Sequence, residues 1–563
     1  MKILTTRRDS PGKNPVFLSE NSYFCPQQPK HPHGMRIKKP FTWACLSISS
    51  LNAFAASDSR PNIVFCIADD ASYHHFSANG CTWNHTPNYD RIAREGIRFT
   101  NCYTPNAKSA PSRACILTGR NSWQLKEAGN HIANFPADIK VFTESLRNVG
   151  YAVAYTGKGW SPGNPGTKDG KRRELTGTPY QEHTRTPLTP AMNKCDYAAN
   201  FAQFVKERDT DQPFFFWFGS TEPHRRYTFQ SGIKQGGKNT EMIDRVPAFW
   251  PDNETVRTDM LDYGYEVEAY DKQLGEIIAV LEENGLMENT LFVITSDNGM
   301  PFPRSKANQY EYSHHMPLAI RWTEGIKGSS RVANDFVSFI DLAPTFLEAA
   351  GANQATSGML PITGKSLSDI FNRTDDRFVE PDREQIILGR ERDDYGRPLN
   401  QGYPIRAIIH DGFLYIHNLK PDRMPAGNAE TGYLDVDASP TKTTLLTMGR
   451  NGETTLFNLS FAQRPAEELY DLRNDLDCMQ NLAQDPNHQG RMADLKQRLH
   501  KRLVEQQDPR LMGEGDAFDN YRFDTEDKWN FYERVVSGEL KEPWKQTRWV
   551  NPTDYEQYKA PKK

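Results

Sequence analysis

The sequence predicts an α/β fold in which a large, mixed but mainly parallel sheet is sandwiched by helices and followed by a smaller antiparallel-sheet subdomain. Three observations carry that expectation. Asn62-Ile63-Val64-Phe65-Cys66-Ile67-Ala68 is an unbroken apolar run, as a strand buried on both faces requires. Strand-like and helix-like segments then alternate up to about residue 385, the order that places helices over a parallel sheet. Past that point Ile405–Ile409 and Phe413–Asn418 flank His410-Asp411-Gly412, which reads as a β-hairpin.

Each element has a local cause. Thr86-Pro87 opens a helix with proline at its first position, and Gly96 stops it. Further buried strands are expected at Tyr151–Thr156, Phe214–Phe218 and Leu291–Thr295. Between the last two, Val267, Tyr270, Leu274, Ile277, Ile278 and Leu281 recur at helical spacing, and Asn284-Gly285 closes that helix. From about residue 484 the chain is charged and helix-like, and it ends in an aromatic-rich tail containing Tyr521, Phe523, Trp529, Phe531, Trp544 and Trp549.

Composition narrows the function classes. The 563 residues include 68 Lys and Arg against 72 Asp and Glu, a net charge of −4, so no nucleic-acid partner is expected. With 37% hydrophobic residues the chain can bury a core, and no run of about 18 apolar residues predicts a membrane span. The eight cysteines form no CxxC pair, which excludes a zinc ribbon and a disulfide-stapled scaffold. Residues 1–34 read as a leader outside the fold. Met35-Arg36-Ile37-Lys38-Lys39, the apolar stretch from Phe41 to Leu51, and Ala53-Phe54-Ala55 then have the form of a signal peptide over 35–55. Export, to the periplasm or the medium, is the expectation.

Ligands of open α/β sheets gather at the carboxyl ends of the strands. Two acidic clusters fall there: Asp69-Asp70 after the first strand and Asp297-Asn298-Gly299 after the Leu291 strand. Their oxygen donors suit a hard divalent cation, Ca²⁺ or else Mg²⁺; each pair alone also reads as a turn or helix cap. A third segment, Ser109-Ala110-Pro111-Ser112-Arg113-Ala114-Cys115-Ile116-Leu117-Thr118-Gly119-Arg120, has the form S-x-P-S-R-x-x-x-L-T-G-R. It places Ser109 at a helix N-terminus, where backbone amides favour an anion, with Arg113 as a fork for sulfate or phosphate oxygens.

This twelve-residue string resembles the signature of the type I sulfatases, and the likeness runs from about Arg60 to about Ala483. The resemblance implies an alkaline-phosphatase-like sulfatase fold, a catalytic domain over 60–385 and a C-terminal subdomain over 386–563. It implies that Ser109 is oxidised to formylglycine, whose gem-diol is the nucleophile, and that a radical-type maturing enzyme performs the oxidation. Asp69, Asp70, Asp297 and Asn298 match the family's metal ligands, with residue 109 as a further one. Lys158, His224 and Lys306 match its two sulfate-facing lysines and its catalytic histidine, and with Ser109 and Arg113 they form the candidate catalytic set.

Ser296–Pro303, Tyr403–Arg406, Ile416–Leu419 and Glu468–Asp471 with Asn481–Ala483 look like the heparan N-sulfatase branch, the N-sulfoglucosamine sulfohydrolases. That branch implies sulfated oligosaccharide of heparin or heparan type as substrate, the N-sulfate leading. Trp160 departs from it, because the branch carries histidine there; an indole only donates, and its face is a candidate to stack on a sugar. Arg225, Arg226, Arg390, Arg392 and Arg397 are candidate partners for uronate or sulfate, and Glu391 and Asp393 for sugar hydroxyls. The alternatives are an O-sulfatase on another sulfated glycan, a phosphatase or phosphonate hydrolase of the same superfold, and an unmatured glycan-binding protein.

Overall fold

The computed structural model describes residues 60–376 and 379–556. The leader and signal-peptide expectations therefore lie outside the described residues. The first strand, β1 (Asn62–Ala68), is wholly buried, and its side chains alternate between two cores. Ile63, Phe65 and Ile67 face one core, while Val64, Cys66 and Ala68 face the other. This two-sided burial is why the strand reads as a continuous apolar run.

The chain continues through α1 (Pro87–Glu95), β2 (Ile97–Tyr103) and α2 (Ser109–Thr118). Next come β3 (Ala152–Gly157), β4 (Thr178–Pro179), α3 (Tyr197–Glu207) and β5 (Phe214–Gly219). The long helix α4 (Glu254–Glu283) leads into β6 (Thr290–Ser296). A short helix α5 (Glu311–His314), β7 (Leu318–Arg321), β8 (Arg331–Ser338) and α6 (Leu342–Ala349) complete this part. The eight-stranded sheet has the order β8-β2-β7-β6-β1-β5-β3-β4. Only β7 runs antiparallel to its neighbours in that sheet. Helices α2 and α6 cover one face, and α1, α3 and α4 cover the other.

A second sheet of β9 (Gln385–Arg390), β10 (Ile405–His410), β11 (Phe413–Asn418) and β12 (Glu467–Asp471) is antiparallel throughout. The expected hairpin is β10–β11. Helix α7 (Gln489–Glu505) lays Met492, Leu495, Leu499 and Leu503 against this sheet. The tail aromatics pack inward: Phe523 and Phe531 are buried with Tyr395, and Trp529 and Trp549 lie against the same cluster. The large parallel-rich sheet and the small antiparallel one are thus the two-part α/β architecture expected from the sequence.

Candidate active site

Three loops meet at the carboxyl ends of β1 and β6. Asp69 and Asp70 leave β1, and Asp297 and Asn298 leave its parallel neighbour β6, whose Ser296 stands opposite Ala68. That register brings the two acidic pairs together although 227 residues separate them, and the Asp70 amide donates to Asp297 Oδ1 at 3.1 Å. The bond holds Asp70 at φ 79°, a left-handed conformation that a non-glycine residue adopts only when its surroundings impose it.

The third loop delivers α2. Every residue of this helix is buried, and it ends at Gly119, where φ is 69° and a Cβ would meet Ile362 Cγ2 at 2.8 Å. Ser109 stands in its first turn, and Pro111 is accommodated there because first-turn amides lack helical partners. Ser109 Oγ donates towards Asp69 Oδ1 at 3.0 Å and lies 3.4 Å from Asn298 Oδ1. Ligating oxygens of Asp69, Asp70 and Asp297 all lie within 4.8 Å of one another, and all three residues are buried. With Asn298 Oδ1 and Ser109 Oγ beside them, this oxygen set fits a hard divalent cation, and His224, grouped with Asp70 and Asp437, adds an imidazole nitrogen at its edge.

Cations surround the cluster. Lys158, just past β3, donates to both oxygens of Asp69 at 2.8 and 2.6 Å and to Ser109 Oγ at 3.2 Å. Burial pushes the Asp69 carboxyl up, but Lys158, His224 and Arg113 outweigh it and hold it down at about 2. Lys306 donates to Asp70 Oδ2 at 2.7 Å and to Asp437 Oδ2 at 3.0 Å. Burial lowers its pKa, but Asp437, Asp70 and Asp69 win and keep it firmly charged. His224 places Nε2 3.8 Å from Asp70 Oδ2 and donates from Nδ1 to the Arg225 carbonyl at 2.7 Å. Ser109, Lys158, His224 and Lys306 share a cavity of about 360 Å³ with Asp437 and the half-buried Trp549 of the tail.

Several expectations need correction. Arg113 is only partly free: Nε donates to Asp297 Oδ2 at 2.9 Å and Nη1 to the carbonyls of Lys158 and Gly159, while Nη2 has no hydrogen-bond partner and lies 3.7 Å from Asp69 Oδ1. It holds the acidic loop against the Lys158 loop. Trp160 is buried, its indole N–H donates to the Ala110 carbonyl at 3.0 Å, and its ring meets Phe135 edge-on, so no face is open to a sugar. Arg225 is spent on Asp259 through two bonds, at 2.7 and 2.9 Å. Arg390 and Arg397 both contact Asp435, and Arg390 also bridges Asp393 at 2.7 Å. Arg392 is buried over the Phe523 ring and donates to the carbonyls of Asp519 and Tyr521. Glu391 is held by Arg406 and Arg510. Of the five candidate arginines only Arg226 is exposed.

The neighbour of a candidate takes the expected place. Asp394, not Asp393, lines the cavity, bridging Lys108 at 2.6 Å and His131 at 3.3 Å. Lys108, His131, Asp394 and Asp437 were not legible as site residues. The only available signal was the position of Lys108 directly before the Ser109 motif.

A family model described as Sulfatase matches residues 61–352. An ulvan-active sulfatase of Formosa agariphila is 24% identical over 497 residues, covering 79% of this chain and 75% of that protein. The N-sulphoglucosamine sulphohydrolase of Homo sapiens is 26% identical over 480 residues, covering 80% of this chain and 91% of its own. A solved protein in complex with its substrate D-glucosamine-2-N,6-O-disulfate superposes with a TM-score of 0.55 at 20% identity, over 83% of this chain and all of that one.

Proposed function

The chain belongs to the sulfatase family, and from that premise we propose that it hydrolyses sulfate from a sulfated glycan, with N-sulfoglucosamine of heparin or heparan type as the leading substrate. One observation carries the reading: Ser109 Oγ is 3.0 Å from the Asp69 carboxylate and 3.2 Å from the Lys158 ammonium, within a cavity that also holds Lys306 and His224. The N-sulfate preference is supported by the relative of that name, which matches over four fifths of this chain. An O-sulfated glycan is the second reading. It is favoured by the ulvan-active relative and by Trp160, which stands where the N-sulfatase branch carries histidine.

Asp69, Asp70, Asp297 and Asn298 would hold Ca²⁺, which when bound would supply Lewis-acid stabilisation of developing charge, and position 109, once oxidised to formylglycine, would supply the nucleophile. Lys158 and Lys306 flank the point of attack with permanent charge, already oriented by their carboxylates, so little reorganisation is needed as sulfuryl oxygens gain charge. Because His224 Nδ1–H is committed to the Arg225 carbonyl, the proton His224 exchanges is the one on Nε2, and this is the proton offered to the leaving nitrogen or oxygen. Arg113 keeps Asp297 and the Lys158 loop in register. The serine at 109 calls for a radical-type maturing enzyme, and the 35–55 segment for export to the periplasm or the medium.

The test incubates protein from its native host with N-sulfated, 6-O-sulfated and 2-O-sulfated disaccharides and measures sulfate release, with Ser109→Ala as the blank. Release from the N-sulfated sugar supports the leading reading, and release confined to an O-sulfate replaces it with the second. Activity retained in Ser109→Ala, or phosphate release in place of sulfate release, overturns both.

A further inference from the structure

Outside the cavity just described, the two loops that carry the acidic pairs meet a second time. His74 lies in the turn Tyr73–His75 that follows Asp69-Asp70, and Glu311 and His315 lie one helical turn apart at α5, past Lys306. Glu311 Oε1 is 3.3 Å from His74 Nε2 and in closer contact with His315 Nδ1. The ligating atoms of the three side chains lie within 4.8 Å of one another.

The surroundings have the form that metal-binding imidazoles need. His315 places Nε2 2.8 Å from the Thr100 carbonyl, a bond that turns Nδ1 towards Glu311 and His74, and a bound ion would take the place of the proton between Nδ1 and Glu311. The His315 ring is clamped between Tyr73 at 4.0 Å and Tyr103 at 4.7 Å, both stacked nearly parallel to it. Tyr103 donates its hydroxyl to Glu311 Oε2 at 3.2 Å, which orients the carboxylate and leaves Oε1 towards the histidines. All three residues border a cavity of about 670 Å³, which gives an ion both an entrance and an open coordination position.

We propose that His74, Glu311 and His315 form a second metal site, one that takes a borderline divalent cation of the Zn²⁺ class. Two imidazole nitrogens and one carboxylate oxygen with an open side are a three-ligand zinc set, whereas the Asp69, Asp70 and Asp297 set offers three carboxylates. The two sites therefore select different ions. An ion held here cross-links residues 73–75 to residues 311–315, adding to the Tyr73 amide bond to the His315 carbonyl at 2.9 Å and the Ser72 hydroxyl bond to the Tyr312 carbonyl at 2.6 Å. It braces, from outside the reaction cavity, the loops that present Asp69, Asp70, Asp297 and Asn298.

The experiment titrates the full chain with Co²⁺, a spectroscopic substitute for Zn²⁺, in the presence of excess Ca²⁺ to occupy the site at Asp69. The expected result is one equivalent of Co²⁺ with visible d–d absorption of a low-coordinate nitrogen–oxygen site, bleached by Zn²⁺. His74→Ala weakens that binding at least tenfold, as does the near-isosteric Glu311→Gln, with unchanged circular dichroism. Zn²⁺ raises the Tm of the parent protein and not that of His74→Ala. Equal Co²⁺ uptake by the parent and His74→Ala, or no d–d band, overturns the proposal and leaves the three side chains joined by a shared proton. Thiolate charge-transfer bands, which place the ion on cysteine, overturn it as well.

Discussion

Asp437→Asn isolates what holds Lys306 in place. Asp437 is ionised: burial pushes its carboxyl up, but Lys306, His224 and Lys108 pull it well below the usual range. At 3.0 Å its attraction for Lys306 is worth a gross ~5 kcal/mol with an effective dielectric of about 20, and desolvation offsets much of that. Asparagine keeps an acceptor at the same place and Asp70 still binds the ammonium at 2.7 Å, so the net loss of stability is about 1–3 kcal/mol. The ammonium loses one of its two anchors, and the transition state loses part of a preset charge. A kcat decrease of about 10–100-fold follows, equivalent to ~1.4–2.8 kcal/mol. The same substitution removes a negative charge from a cavity that must accept an anion, so KM stays level or falls. Sulfate release by ion chromatography on the best disaccharide of the panel gives both constants. A raised KM with unchanged kcat would refute the reasoning, because Asp437 would then be binding the sugar and not positioning Lys306.

Three further outcomes follow from the same contacts. Removal of Ca²⁺ with a selective chelator should abolish sulfate release and lower the Tm, and added Ca²⁺ should restore both; full activity after verified depletion would remove the ion from the mechanism. Arg392→Met should destabilise the protein by about 2–4 kcal/mol, because it strips the carbonyls of Asp519 and Tyr521 of their donor, while KM stays within about twofold. Asp271 accepts the Asn88 and Tyr89 amides at the start of α1, yet burial outweighs these bonds and pushes its carboxyl up to about 6. The folded chain then holds a proton between about pH 4 and 6 that the unfolded chain has released, so this group's contribution falls as pH rises through that window, by up to ~3 kcal/mol. The change in unfolding free energy from pH 4 to pH 7 should be more positive in Asp271→Asn than in the parent, by up to ~3 kcal/mol; an identical change in both proteins would contradict the shift.

What could be read in the sequence was local, or was imposed by a strand buried on both faces. The run Asn62–Ala68 announces β1 because each successive side chain meets a different hydrophobic core. The segment Ser109–Arg120 announces α2 because the proline in the first turn and the terminal Gly119 both lie within it. The second sheet was legible only as far as its hairpin. The arginines were misread for the opposite reason. Arg390 and Arg397 share Asp435, which stands 45 and 38 residues downstream, and Arg406 pairs with Asp508 across 102 residues. No periodicity or spacing encodes such partners, so a buried structural guanidinium and one waiting for a sulfate look alike in a sequence. Asp393 and Asp394 show how fine the distinction is, since one residue of phase after β9 separates a partner of Arg390 from a wall of the cavity.

That pairing explains how a net-acidic chain presents a cavity suited to an anion. The cavity lysines are each tied to a carboxylate: Lys158 to Asp69, Lys306 to Asp70 and Asp437, and Lys108 to Asp394. An ammonium has three N–H donors, and a carboxylate accepts without donating. Two bonds to Asp70 and Asp437 therefore fix the direction of Lys306 and leave its third N–H for a ligand. For Lys306 and Lys108 the carboxylates also outweigh a burial that would otherwise favour the neutral amine. The buried acids are thus part of the anion site: without them the lysines would not be aimed, and the cavity would lose the oriented donors that a sulfuryl group requires.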